Sequence, residues 1–437
     1  MNTYAGTLDR VAPSPKVTPS AKKIAAITIG NGLEFFDFSI YTFFAAMIGK
    51  QFFPGESEIA RLLLSLAVFG VGFVMRPLGG IVIGNYADRA GRKPAMTLTL
   101  WLMALGSAVF VLAPTQAQIG IAAPVIIIVG RLIQGFAVGG ELGASTSMLL
   151  EYATDRTRGY YCSWQLFSQA LSTLAGSALG LALTATMSTE ALESWGWRIP
   201  FAIGLLVIPV GAYIRRHLEE TGDVAAPGAR GPKPPSALSV VLRDYKRELL
   251  IGFGLIVGGT TANYLVLHYL TNYAKVVLHM PFSLGLWAAW IAAGMQMLLA
   301  PIAGKTADRY GRKPVIVIAF VLLCVLVLPA FMLMDSTRSA TGLFTAVFML
   351  VIPLAFSSVS AVVLITELFP KAIRATGLSL VYALGVSIFG GFAQFNATWL
   401  IQQTGSNLAP AWYMIACGAV SLIAVMCTRE TAGRALG

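Results

Sequence analysis

The chain has 437 residues, of which 56% are hydrophobic and only 12% charged, and its mean hydropathy is +0.73. A soluble chain averages about 25% charged residues, so several soluble domains are excluded. The wealth of large apolar residues likewise excludes disorder, coiled coil and collagen. Four cysteines, three of them (Cys324, Cys417, Cys427) inside apolar runs, exclude a disulfide framework and read as small buried hydrophobes.

A membrane-spanning helix needs about 20 mostly apolar residues. The chain offers twelve such runs, near 24–48, 59–85, 95–114, 120–148, 160–187, 199–217, 248–274, 282–304, 314–334, 340–367, 374–401 and 409–428. They are too long and too continuous for barrel strands, which run about 10 residues and alternate. The first run carries Glu34 and Asp37 and follows a polar stretch, so it does not read as a cleaved signal peptide. The expected fold is therefore an all-α integral membrane protein. An even number of spans puts both termini on one side. Of the 31 Lys and Arg residues, 24 fall on that side, five on the other and two within spans. Positive loops stay inside, so both termini are expected in the cytoplasm. The net charge of +11 is then a topology signal that faces the lipid headgroups, not a nucleic-acid surface.

The longest polar break, 218–247, holds a Pro/Gly-rich piece and a basic piece between the first six spans and the last six. It reads as a cytoplasmic linker between six-helix bundles at 24–217 and 248–428, with tails at 1–23 and 429–437. The two halves repeat. Residues 84–94 read GNYADRAGRKP and residues 304–314 read GKTADRYGRKP, identical at eight of eleven positions. Glu151 precedes Arg158 by seven residues, and Glu367 precedes Arg374 by the same interval. Parallel six-plus-six halves are the architecture of one large transporter fold.

These motifs resemble those of the major facilitator superfamily, over essentially the whole chain. Gly130-Arg131-Leu-Ile-Gln134-Gly135 is similar to that superfamily's span-four motif. Gly30-Asn31-Gly-Leu-Glu34-Phe-Phe-Asp37-Phe, Arg76-Pro77-Leu-Gly79-Gly80, Gly139-Gly140-Glu141, Trp195-Gly-Trp197-Arg198-Ile-Pro200-Phe and Ile388-Phe389-Gly390-Gly391 resemble the metabolite:proton symporter family. Gly140-Glu141-Leu142-Gly143 and Pro410-Ala-Trp412-Tyr are most similar to its citrate/tricarballylate branch. The resemblance implies twelve transmembrane helices in two six-helix bundles, a bacterial inner-membrane location, and import of a small organic anion with protons by alternating access. Citrate or a related di- or tricarboxylate is the expected solute. The alternatives are a zwitterionic osmolyte (proline or betaine), shikimate or 2-oxoglutarate, and more remotely proton-driven drug export. The expected partners are that anion, the proton and the lipid bilayer, with a monomer as the unit and no nucleic acid.

Charges at bilayer depth are costly and mark function by default. At 1.5 Å per residue, Asp37 lies roughly 21 Å and Arg76 roughly 18 Å from the cytoplasmic edge, so opposite charges share a level. An apolar setting favours the protonated acid and a nearby guanidinium the ionised one. Asp37 is therefore the expected proton carrier, with Glu34 second and Glu141 third. Arg131, or Arg76, would alternate between that acid and the solute's carboxylate, because its fork pairs bidentately with carboxylates. Further candidate contacts are Gln134, Gln165 and Gln169, the span-seven set Asn263, Tyr264, His268 and Tyr269, and Tyr382, Gln394 and Asn396 in span eleven. The repeated loops read as gates rather than binding sites. They comprise Gly84, Asp88, Arg89, Gly91 and Arg92, their copies Asp308, Arg309, Gly311 and Arg312, and the pairs Glu151/Arg158 and Glu367/Arg374. In the family pattern Asp88 would face the N-terminus of span eleven and Asp308 that of span five, where a helix dipole favours an anion. Arg92 would pair with Glu151, and Arg312 with Glu367. No enzyme motif, cofactor site or metal site is apparent: HExxH, CxxC, P-loop and GxSxG are missing, and the three histidines are scattered.

Overall fold

The computed structural model describes residues 21–90, 92–139, 149–150, 153–205, 237–371 and 373–433. Gly91, Glu141 and Glu151 lie outside the described residues; for Glu34, Asp88, Arg89 and Arg92 only the helical backbone is described. Among the described residues every regular element is helical. Eight helices are long and apolar enough to cross a bilayer, nine if a bent first pair counts as one span, and Thr97–Leu112 and Ala122–Val138 are shorter apolar helices. The sixth predicted span enters as Ile199–Leu205, and its remainder falls outside the described residues. Within the stretch 218–247, Ala237–Asp244 forms a short helix with Val241 buried.

Two spans depart from straight helices for identifiable reasons. The first is broken at Phe44, where Ala45–Phe52 turns away from the preceding helix by 63°. The second breaks at Met75 between Glu58–Val74 and Arg76–Ala90. Pro77 has no N–H to offer the carbonyl four residues earlier, and that carbonyl, of Phe73, instead accepts the Ser387 hydroxyl of span eleven at 2.8 Å. Span seven runs from Lys246 to Val277 through two π-helical turns, Leu265–Tyr269 and Tyr273–Val277, and span eleven has a third at Ser387–Gly391.

Glycine sets how closely the helices approach. Span five (Arg158–Thr186) and span eight (Phe282–Tyr310) lie side by side, with Gly159 against the Gly304 backbone near one end and Gly180 against Leu286 toward the other. A Cβ on Gly159 would overlap the Gly304 carbonyl. Within the N-terminal helices, a Cβ on Gly135 would overlap the Gly72 carbonyl, so spans two and four meet backbone to backbone. Large apolar side chains such as Trp101, Leu105, Ile318, Val325 and Ile423 stay exposed on the outside. Such a surface suits hydrocarbon, where each helix must satisfy its own backbone.

Candidate functional site

Span one faces in two directions. Phe35, Phe38, Ser39 and Thr42 follow the i, i+3, i+4, i+7 spacing of one helical face. They line a central cavity with Gln169 and Thr173 of span five and Asn263, Tyr264, Leu267 and His268 of span seven. The cavity measures about 10 Å³, roughly the room of one water molecule. Asp37 turns to the other side, toward spans three, four and six. Its Oδ2 accepts hydrogen bonds from the Ser107 hydroxyl and from Gln134 Nε2 at 3.2 Å. Gly204 packs against its Oδ1, leaving no room for a larger side chain.

Arg131 reaches Asp37 through Gln134. Arg131 Nη1 donates to Gln134 Oε1 at 2.8 Å, and Gln134 passes its amide on to the carboxylate. Arg131 is fully buried, its guanidinium 3.6 Å from the Tyr41 ring centroid and 5.2–5.3 Å from those of Phe38, Phe69 and Phe110. Arg76 stacks on Phe73 at 3.7 Å and Phe38 at 4.7 Å, and interacts electrostatically with the Tyr264 hydroxyl. Cation–π stacking of this kind holds a guanidinium in an apolar setting. Phe38, which lines the cavity, lies within cation–π distance of both.

The remaining predicted contacts divide. Gln169, Asn263, Tyr264 and His268 line the cavity. Gln165 instead donates to Asn31 Oδ1 at 3.1 Å, a bond between helices. The Tyr269 hydroxyl receives Thr398 Oγ1 at 2.9 Å, and Asn396 donates to the Tyr413 hydroxyl at 3.1 Å. Tyr382 packs near Leu166 and Val359, and Gln394 is buried with neither end of its amide bonded among the described residues. These five, with Gln134, do not line the cavity. The sequence reading missed Phe35, Phe38, Ser39, Thr42, Thr173 and Ser107. Ser39, Thr42 and Thr173 each bond the carbonyl four residues earlier, at 2.9–3.0 Å, so each is unremarkable alone. The face they share with the phenylalanines was the available signal.

Both ends of the molecule are closed across the two sets of helices. At the end carrying the repeated loops, Asp308 accepts the backbone N–H groups of Gly159 and Tyr160 at 2.8 and 2.9 Å. Glu367 holds Arg312 in a two-pronged pair, at 3.1 and 3.2 Å, and accepts Arg158 of span five at 3.1 Å. Arg158 also pairs with Asp155, and Arg312 with Asp308 at 3.1 Å. Arg374 donates to the Phe369 carbonyl at 3.3 Å, Arg309 is exposed beside Tyr310, and Gly84 has open space around it. Gly311 sits at φ +99°, the left-handed region that favours glycine. Beside it, Glu430 caps the next helix by accepting the N–H groups of Arg312 and Lys313 at 3.0 and 2.9 Å. Burial raises the Glu430 carboxyl, but these and neighbouring N–H bonds outweigh it and hold the group below its ordinary value.

At the opposite end, Glu193 lies between Lys50 at 2.7 Å and Lys275 of span seven at 2.9 Å. Nearby, Asn272 donates to the Thr42 carbonyl at 2.7 Å, at the bend of span one. The arrangement is a small central chamber, sealed at both ends by contacts between two groups of helices, with one buried acid beside it.

Residues 23–221 match the family described as Sugar (and other) transporter, and residues 283–433 match the Major Facilitator Superfamily. The chain is 35% identical over 401 residues to a citrate-proton symporter of Klebsiella pneumoniae, covering 92% of this chain and 90% of that one. It is also 35% identical over 433 residues to a proline/betaine transporter of Escherichia coli (strain K12), covering 95% and 84%. The crystal structure of a D-xylose-proton symporter shares the fold at a TM-score of 0.76 and 18% identity, over 95% of this chain and 99% of that one. The chain belongs to the major facilitator superfamily. It is a transporter that passes several times through a bacterial membrane.

Proposed function

We propose that the chain is a proton-coupled symporter importing a small organic acid, citrate or a related di- or tricarboxylate, by alternating access. The observation that carries this reading is a buried acid, Asp37, on the helix that also walls the cavity, joined to Arg131 through a single amide. The charge of such an acid depends on how near the guanidinium stands, and helix rearrangement around the cavity changes that distance. In this reading the two bodies are residues 24–217 and 248–428. The repeated-loop end, both termini and the 218–247 connection face the cytoplasm, as the lysines and arginines indicate, and Glu193 faces outward. The similarity to citrate-proton symporters supports the solute class.

A second reading, a zwitterionic osmolyte such as proline or betaine, is favoured by the cavity wall. Among the described residues Phe35, Phe38 and Tyr264 face it and no Asp, Glu, Lys or Arg does, while Arg76 lies over the Phe38 ring. Such a wall suits a quaternary ammonium more than three carboxylates. Uptake into proteoliposomes under an imposed pH gradient, with citrate, tricarballylate, 2-oxoglutarate, shikimate, proline and betaine, decides between them. The first reading expects uncoupler-sensitive accumulation of citrate or tricarballylate. Accumulation of betaine or proline alone selects the second, and uncoupler-insensitive uptake of every solute ends both.

A further inference from the structure

Ser107 lies on the third span, and nothing in its sequence context marks it. A serine within a helix commonly turns its hydroxyl back onto the carbonyl four residues earlier. Here that carbonyl, of Met103, stands 3.1 Å from Ser107 Oγ, and Asp37 Oδ2 is within hydrogen-bonding distance of the same oxygen. One hydroxyl proton thus has two acceptors. The third neighbour is Gln134, whose Nε2 is 3.0 Å from Ser107 Oγ and 3.2 Å from Asp37 Oδ2. A guanidinium only donates. Gln134 must therefore turn its oxygen to Arg131 and its nitrogen toward the serine and the acid, whatever the charge on Asp37.

We propose that Ser107 is a positioning residue that keeps the Asp37 carboxyl hydrogen-bonded in both charge states, by turning its one proton between Asp37 Oδ2 and the Met103 carbonyl. The proposal rests on the proton-symport reading. With Asp37 ionised, the Ser107 hydroxyl donates to Oδ2 and accepts from Gln134. When a proton from external water binds Oδ2, the carboxyl becomes a donor. Ser107 Oγ then accepts from it, still accepts from Gln134, and donates to Met103. A hydroxyl offers one donor and two acceptor sites, so its capacity is filled and no group is orphaned. Without Ser107, a protonated Oδ2 would meet only the N–H of Gln134, donor against donor, in a place where an unsatisfied polar group is expensive.

The other charged or titratable groups around this cluster are few. Arg131 on span four and Arg76 on span two both stack on Phe38. Tyr41 donates its hydroxyl to the Ser65 carbonyl at 3.0 Å. Span six presents Gly204, and Glu34 lies one turn along span one.

The test follows the Asp37 carboxyl itself. Infrared difference spectra of the purified full-length chain in lipid are recorded across a pH titration, with Asp37→Asn identifying the band of the protonated acid. In Ser107→Ala that band is expected to shift to higher wavenumber as its hydrogen bond is lost. Ser107→Thr, which keeps the hydroxyl, is expected to restore it, and Ser107→Cys, a weak hydrogen-bonding group of similar size, to fall between. Ser107→Cys also serves if the alanine variant does not fold. An Asp37 band at the same position in every folded variant overturns the proposal and leaves the symport reading standing. Absence of any titrating Asp37 band overturns both.

Discussion

Asp37 is an acid linked to Arg131 through an amide, in surroundings that also hold Arg76. Gln134 keeps Arg131 one amide away, and aromatic rings lie over both guanidiniums. If Asp37 carries the coupled proton, Asp37→Asn removes the only exchangeable acid in this cluster whose side chain is described. A membrane potential of 100 mV acting on one net charge supports about 50-fold accumulation. In the variant that accumulation is expected to vanish, with internal solute rising no higher than external, as flux of labelled solute into proteoliposomes would measure. Glu367 has a different standing. It is buried and holds Arg312 and Arg158 together, so Glu367→Gln takes from both guanidiniums their shared buried carboxylate and leaves them the more exposed Asp308 and Asp155. Removing one partner of a buried pair costs roughly 3–5 kcal/mol, which a clear fall in the thermal unfolding midpoint would register. Glu193→Gln, at a more exposed pair, is expected to cost about 0–1 kcal/mol.

Helices are joined here backbone to backbone, and the position of each glycine predicts what breaks. Gly304 belongs to the seam between spans five and eight, so Gly304→Val pushes apart two helices from different groups. It is expected to open the loop-motif end, and alkylation of Cys162, buried beside that seam in the native protein, is expected to accelerate several-fold by peptide mass mapping. Gly135→Val separates spans two and four within one group, and is expected to impair folding instead. Much at this scale was legible in the sequence. Apolar run lengths located the helices, and the second copy of the repeated loop marked Asp308, which meets the seam at one end. What stayed hidden joins distant parts of the chain. Nothing local to Gln134 shows that it stands between Arg131 and Asp37, 97 positions away. The bend at Phe44 has no proline to announce it, and the π-helical turns of spans seven and eleven follow from packing rather than composition. The tail residue Glu430 reads as one more charge after the last span until Gly311 and Arg312 are placed beside it.

Among the described residues, contacts cross both ends of the molecule around a cavity of about 10 Å³, and in the proposed cycle each set of contacts parts in turn. The Glu193 contacts, on the outer side in the proposed orientation, have a readable pH dependence. Burial would raise the Glu193 carboxyl, but hydrogen bonds and charge from Lys50 and Lys275 outweigh it and hold it below its ordinary 4.5. Its contribution to the closed mouth is therefore complete above that pH and is lost as pH falls through the lowered value. External maleimide labelling of a Thr42→Cys variant is expected to stay slow from about pH 7 down to pH 5 and to quicken when Glu193→Gln is added; acceleration within that range without the second change would contradict the sign. The two lysines are also not equivalent. In the proposed two-bundle arrangement Lys50 shares its half with Glu193 and would keep it when the halves separate, whereas Lys275 would move with span seven. In the proposed cycle each opening of the outer mouth thus strips one ammonium of its counterion at the threshold, so that an arriving carboxylate would meet an attractive field only when the door stands open.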